Sequence, residues 1–396
     1  MARSVKAAEK KTKGRAITGL MITHPGIEHA AADEVKELLG KNAANVRTED
    51  SAVIFDAKDH LDLCLLCYKS QSAIKVLMLL DSFSFKDEDE IFSRAERTAK
   101  TEEFKDIVGK KTSFMVKCTR IGEHGFSSIE IEQGIGKGID GQVNLKTPEV
   151  VVYAYIYHQK CHLGIDFAGF DLSKRQYRIF NYKDALKGTF AYSLLRIAGY
   201  KKGDFLLDPF CGSGVIVIEA ALYACNFPVN FYNKDKLMFQ NFGFLKKRKI
   251  DFKKFFEAID RKINLKEKTR ICGYDAMLGY VKAAQKNSKI AGINKKVSIS
   301  RMDVDWMDIK MREGEADKIV TNMPEITERN EKIMEKAYKE FFYQTEYSIK
   351  KKGLIVLITN AGGLVEKYSK EYGFSIKNKT KAMQGKKELQ IFAIQK

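Results

Sequence analysis

The stretch Phe205–Leu222, FLLDPFCGSGVIVIEAAL, constrains this chain more than any other. An apolar run breaks at Asp208, passes through Gly212 and Gly214, and resumes as a small and aliphatic segment carrying Glu219. That order predicts a buried strand, a tight glycine turn and a helix, the opening unit of a nucleotide-type α/β fold. Glycines let the backbone approach a ligand with no Cβ in the way, and the helix behind them starts with unpaired N–H groups. The turn is therefore a candidate cofactor site, built from Asp208, Pro209, Phe210, Cys211, Gly212 and Gly214. A D-x-x-x-G-x-G run by itself is a weak signal, so its meaning depends on the strands that follow.

The next apolar run, TRICGYDAMLGY, ends at Asp275, where a carboxylate would take ribose hydroxyls. The gap is far longer than the usual about 20 residues, which makes residues 226–269 an insertion. It is rich in Phe and Lys, and Phe252, Phe255, Phe256 and Ile259 share one helical face. Two readings stand: a subdomain packed on the core, or a wing facing RNA. KKVSISRMDVDWMDI then gives a strand ending at Asp303, whose carboxylate suits an adenine amino group, and ADKIVTNMPEITER gives a buried strand ending in Asn322, Met323, Pro324 and Glu325. A long helix from about Glu328 to Ile349, the strand GLIVLIT, a helix about Gly363 to Tyr372 and two strands close enough for an antiparallel hairpin complete the half. This is the element list of the seven-stranded, Rossmann-like class I methyltransferase fold, which binds S-adenosyl-L-methionine.

Charge points to the partner. The chain has 396 residues, 69 Lys and Arg against 51 Asp and Glu, and a formal net charge of +18. A polyanion, most economically nucleic acid, fits that balance; a lysine-rich surface that is merely solvated is the alternative. No apolar run reads as a membrane span, and the basic N-terminus has no apolar h-region, so a cytoplasmic protein is expected. Cys64 and Cys67 have C-x-x-C spacing but sit on an apolar helical face with no second pair, which reads as core thiols and no metal site.

Residues 1–15 are a polar, basic stretch without periodicity and read as a flexible tail. From Ala16 a strand, a turn at Pro25 and Gly26, a helix to Leu39, a short strand Ser51–Phe55 and a helical His60–Leu80 suggest a small α+β unit over 16–80. Over 81–170, KTSFMVKCTR reads as a strand, Gly134, Gly136 and Gly138 as the end of a helix, and Val143–Gly169 as two paired strands turning at His158–Lys160. Tyr153, Tyr155 and Tyr157 alternate along one strand, either for stacking on bases or, more commonly, as a packed sheet face. A linker, 171–186, leads to the catalytic half, 187–396.

The 81–170 run resembles a THUMP domain. The resemblance is carried by His124, Phe126 and Ser128, by Leu145–Val152, by Gly164–Asp166 and by L-x-K-R-x-Y-R at Leu172–Arg178. The unit before it, with THPGIE, resembles the ferredoxin-like domain that precedes THUMP in RNA-modifying enzymes. With the C-terminal half, the chain resembles the THUMP-domain RNA guanine-N2 methyltransferases over residues 16–396. That resemblance implies tRNA as partner, gripped at its 3′ end, with RNA contacts at Lys117, Arg120, Lys174, Arg175 and Arg178. It also implies that the segment opening at Lys187, Gly188 and Thr189 covers the cofactor, so that Thr189 joins the cofactor set. The insertion and LKGTFAYSLL look most like the archaeal members that modify position 6 of the acceptor stem; ribosomal RNA, or another tRNA position, is the alternative substrate. A monomer is favoured.

Methyl transfer to an exocyclic guanine amine needs alignment and a usable lone pair rather than a metal. The Asn322 side chain and the backbone near Met323 would accept the two N–H bonds and localise that lone pair, with Pro324 shaping the turn. In the family the fourth motif position is aromatic and stacks on the flipped base; here it is Glu325. The carboxylate would instead accept from guanine N1–H and N2–H, or a nearby aromatic, Phe341, Phe342 or Tyr343, would supply the ring, or the departure marks a catalytically silent RNA-binding chain.

Overall fold

A computed structural model of the chain describes residues 17–182 and 185–396. The tail expected over residues 1–15 lies outside the described residues. In the N-terminal half, β1 (Ile17–Ile22), β2 (Ala44–Glu49), β3 (Ala52–Ala57), β4 (Lys75–Ser84), β5 (Ser113–Ile121), β6 (Gln142–Val143), β7 (Val150–Tyr157) and β8 (Lys160–Asp166) form one sheet in the order β2-β3-β1-β4-β8-β7-β5-β6. β4 pairs antiparallel with β1 on one side and β8 on the other, and its pairing with β8 continues past residues 80 and 81 with a register shift between Leu79 and Asp81. The helix Ser128–Lys137 opens with a Ser127–Glu130 capping box and ends at Gly138, as the glycine-punctuated run predicts.

One expectation in this half is corrected, and of the two readings of the tyrosine stripe the commoner one, a packed sheet face, holds for Tyr153 and Tyr155. The helix from His60 stops at Lys69, and Lys75–Leu80 belongs to β4. The break is polar and buried: Glu34 accepts from the Ser70 hydroxyl at 2.6 Å, the Gln71 N–H at 2.7 Å and the Ser72 N–H at 3.0 Å, which fixes a turn where the apolar pattern shows no punctuation. Tyr153 and Tyr155 are buried in the sheet face, their hydroxyls bonded to Thr119 and Ser51, so neither offers a ring to a base. Cys64 and Cys67 are fully buried core thiols, and burial holds both well above the ordinary thiol pKa.

The C-terminal half contains β9 (Phe205–Asp208), β10 (Arg270–Asp275), β11 (Ser298–Arg301), β12 (Ala316–Asn322), β13 (Ile349–Thr359), β14 (Ser375–Gln384) and β15 (Lys387–Gln395), in the order β11-β10-β9-β12-β13-β15-β14. β9 to β13 are parallel, while β15 runs antiparallel to both β13 and β14. The predicted hairpin is therefore present. From β9 the sheet grows one way through β10 and β11 and the other way through β12 and β13, and such a reversal leaves a crevice at the carboxyl ends of the strands.

Two devices join the halves. The insertion packs its aromatic residues onto the N-terminal half: Phe242 lies edge-on to Phe167 with ring centroids 5.1 Å apart, Phe256 meets Tyr68 at 4.9 Å, and the Tyr68 hydroxyl donates to Asp260 at 2.6 Å. The second device corrects the reading of Arg175 as an RNA contact. Its side chain is 1% exposed, Nε donates to Glu219 Oε1 at 2.7 Å, and other guanidinium donors reach the carbonyls of Leu172 and Gln71. Tyr177 and Gln71 donate to the same carboxylate at 2.5 and 2.7 Å. Burial opposes the charge on Arg175, but Glu219 outweighs it and holds the guanidinium pKa above its ordinary value.

Candidate active site

The ends of β9, β10 and β12 and the residues after β11 enclose a cleft of about 610 Å³. Asp208, Phe210, Cys211, Gly212, Asp275, Asp303, Asn322, Met323, Pro324 and Glu325 all line it. Parallel strands account for this convergence, because each of these residues ends a strand or follows one directly. Thr189, Pro209 and Gly214 are not on the lining. Thr189 is fully buried, and its hydroxyl finds no partner among the described residues. Gly214 works by conformation instead: its φ is +84°, and a Cβ there would stand 2.8 Å from the Ala284 side chain, so only glycine lets the helix Val215–Ala224 start against its neighbour.

The acidic side chains differ in state. Asp208 is buried, accepts from the Thr321 hydroxyl at 2.7 Å and from the Phe210 N–H at 3.3 Å, and is pushed up by burial to a pKa of about 7. Asp275 is raised by burial too, and binds the Gly212 N–H at 3.0 Å and the Met277 N–H at 2.9 Å. It thus ties the glycine turn to β10. Asp303 is exposed and accepts from the Asp305 N–H at 3.3 Å.

Asp208 makes stability depend on pH. Between the ordinary carboxyl pKa and about 7 the unfolded chain has lost this proton and the folded chain keeps it. Stability is therefore expected to fall as pH rises through that window, at no more than about 1.4 kcal/mol per pH unit from this group. Asp208→Asn, which keeps the acceptor for Thr321, should flatten the profile; thermal melts of both proteins from pH 4 to 8 check it.

The loop after β12 is pinned from several sides. The Met323 N–H donates to the Ile358 carbonyl at 3.0 Å, the Tyr338 hydroxyl to the Pro324 carbonyl at 3.1 Å, and the Asn330 side chain to the Glu325 carbonyl at 3.0 Å. Glu325 pairs through Oε1 with Lys387 Nζ at 2.6 Å, a residue of the β14–β15 hairpin that also lines the cleft. Phe341 and Phe342 are in the core and Tyr343 faces solvent, so none of them supplies the ring that Glu325 replaces. The aromatic lining comes from Phe210, Tyr182 and Tyr280.

Comparison with known proteins gives the chemistry. Residues 85–166 match the THUMP domain, and residues 175–391, more than half the chain, match the RMKL-like methyltransferase domain. The chain belongs to this methyltransferase family. Two curated relatives named tRNA (guanine(6)-N2)-methyltransferase are 28% identical over 93% of this chain and 97% of the Methanocaldococcus jannaschii protein, and 27% identical over 85% of this chain and 81% of the Archaeoglobus fulgidus protein. A solved structure of a possible methylase from Clostridium difficile 630 shares the fold with a TM-score of 0.79, at 22% identity over 96% of this chain and 98% of its own.

S-adenosyl-L-methionine is the cofactor of this methyltransferase, and the residues present fit it. Ser213 places on the cleft a buried hydroxyl that finds no partner among the described residues. At Gly212, where φ is +51°, a Cβ would meet nothing within 4 Å, which leaves room beside the turn. The Asp275 and Asp303 carboxylates, both on the cleft, are acceptors of the kind that ribose hydroxyls and an amino-bearing base would require.

The expected RNA cations do not share one surface. Lys117 and Lys174 are exposed. Arg120 lies on the opposite face of β5 from Lys117, beside His124 at 3.3 Å and over the Phe126 ring at 5.7 Å. Arg178 is half-buried, bonded to Asn181 and to the carbonyl of Ala185, and so braces the linker where it meets the cleft. Sequence reasoning missed Thr321, Ser213, Lys387 and Asn287. Asn287 is buried and bonds both the Phe180 backbone and the Ser213 carbonyl, joining linker to glycine turn. Its position within an apolar helical pattern is the one signal that pointed to it.

Proposed function

We propose that this methyltransferase modifies the exocyclic N2 of a guanosine in tRNA, in the acceptor stem at position 6. The observation that carries the reading is the arrangement at the end of β12, where Asn322 and the carboxylate of Glu325 line one cleft with Asp208, Asp275 and Asp303. When bound, S-adenosyl-L-methionine supplies an electrophilic methyl group on its sulfonium. Asp275 would hold the ribose hydroxyls and Asp303 the adenine amino group. Across the cleft, Asn322 Oδ1 and the Met323 carbonyl accept the two N–H bonds of guanine N2, turning its lone pair toward the methyl group. Glu325, held by Lys387, takes the N1–H edge that an aromatic neighbour would only stack upon. A duplexed guanine has to be flipped out to reach these groups.

The names of the two archaeal relatives support the tRNA substrate and the position, and the net charge of +18 supports a polyanionic one. Lys117, Arg120, Lys174 and Arg178 remain the candidate contacts for the THUMP half, acting in the cytoplasm and as a monomer. Nucleoside mass spectrometry of tRNA incubated with the protein and S-adenosyl-L-methionine is expected to show N2-methylguanosine. Methylation of ribosomal RNA alone would move the substrate. No transfer to either, with RNA and cofactor binding intact, would leave an RNA-binding protein.

A further inference from the structure

Beside the cleft mouth, Ile179, Phe180, Tyr182, Met277 and Leu278 stand between 38% and 65% exposed, a concentration of large apolar side chains that folding alone does not require. They come from two segments fixed to each other. The Phe180 N–H donates to Asn287 Oδ1 at 3.1 Å and its carbonyl accepts from Asn287 Nδ2 at 3.0 Å, while the Tyr182 and Tyr280 ring centroids lie 4.0 Å apart. Linker residues 179–182 thus lie along the helix Leu278–Ile290. The patch is continuous with the cleft, because Tyr182, Met277 and Tyr280 line it.

The same helix is basic. Its sequence, LGYVKAAQKNSKI, has three lysines and no acidic residue. Leu278, Lys282, Gln285, Lys286 and Lys289 are exposed, and their spacing of 0, 4, 7, 8 and 11 puts them on one face. With a rise of about 1.5 Å per residue, lysines one turn apart are separated by about 6 Å along the axis. Lys286 Nζ stands 4.6 Å from the Phe180 ring centroid, so the cationic stripe and the apolar patch meet.

We propose that this surface is a track for single-stranded RNA leading into the methyl-transfer cleft. Lys282, Lys286 and Lys289 neutralise successive phosphates, and Phe180 and Tyr182 present rings on which bases next to the target stack. Exposed aromatics beside a row of cations are what a sequence-tolerant single-strand site needs: phosphates taken by charge, bases by their π-faces. An acidic protein partner would use the lysines and leave the rings without a role. The inference rests on the reading of the substrate as RNA, with the strand that carries the target opened locally from its complement as it enters the cleft, and the surface is built from the linker and the helix Leu278–Ile290.

The test is a binding measurement with no methyl transfer, so it fails or succeeds separately from the choice of methylated nucleotide. A fluorescent unstructured oligoribonucleotide is titrated with the full chain, with Lys282→Gln/Lys286→Gln/Lys289→Gln, and with Phe180→Ala, across a salt series. The triple variant is expected to lower the slope of log affinity against log salt by about 2, at roughly 0.7 for each phosphate no longer neutralised. Phe180→Ala is expected to weaken binding about tenfold with the slope unchanged. Calorimetry with S-adenosyl-L-methionine should give the same affinity for all three proteins, which shows that the fold survives. Unchanged RNA affinity and slope in both variants, with cofactor binding intact, would overturn the track.

Discussion

Asn322→Ala is expected to lower the rate of methyl transfer by about 10²–10³-fold while leaving cofactor affinity nearly unchanged. The magnitude is that of deleting one preorganised polar group aimed at a reacting centre. Guanine N2 is a poor nucleophile because its lone pair is shared with the ring, and an acceptor for its N–H bond stabilises the pyramidal nitrogen that develops as the methyl group arrives. That interaction is weak in the ground state and strong in the transition state, so its loss falls on kcat rather than KM. The loop around Asn322 is independently pinned, by Met323 to Ile358, Pro324 to Tyr338 and Glu325 to Asn330, and truncating one side chain leaves that frame in place. Single-turnover transfer to tRNA, with calorimetry on the cofactor, measures both quantities. Asn322→Asp keeps an acceptor at the same place and should recover part of the rate; equal loss in the two variants would remove hydrogen-bond acceptance from the account.

The catalytic half is legible in the sequence because its chemistry sits at strand ends. Each apolar run of the parallel sheet closes on a polar residue, and a parallel sheet puts those closures on one edge, so spacing alone brings Asp208, Asp275 and Asn322 together. What escapes is every partnership between elements distant in the chain. Nothing local marks Lys387 as the partner of Glu325, or Thr321 as the donor to Asp208. The run YKSQSAIKVLMLL contains no glycine or proline, so the end of one helix and the start of β4 look like a single helix; the break is made by Glu34, from another helix. β2, ANVRTE, is an edge strand with little burial and so has no alternation to read. Arg175 shows the same limit most clearly, since a cation looks alike in sequence whether it faces water, RNA or a buried carboxylate.

Arg175→Met is therefore expected to act on stability first, at a cost of about 3–5 kcal/mol. The substitution removes the cation from a fully buried carboxylate and takes the donors from the Leu172 and Gln71 carbonyls. Tyr177 and Gln71 still reach Glu219, but two neutral donors do not replace the charge. Because the cluster joins Gln71 of the N-terminal half to Glu219 of the catalytic half, the loss should uncouple their unfolding, and urea unfolding followed by fluorescence is expected to show two steps in the variant and one in the parent. Arg175→Met/Glu219→Met removes both charges and fills the space with apolar atoms; it is expected to regain most of the stability, since burying the pair desolvates two ions. The double variant also decides what Arg175 does. Parental tRNA affinity in a restored fold makes it a structural clasp. A fall in affinity with stability regained would return it to the RNA contacts and contradict its buried position.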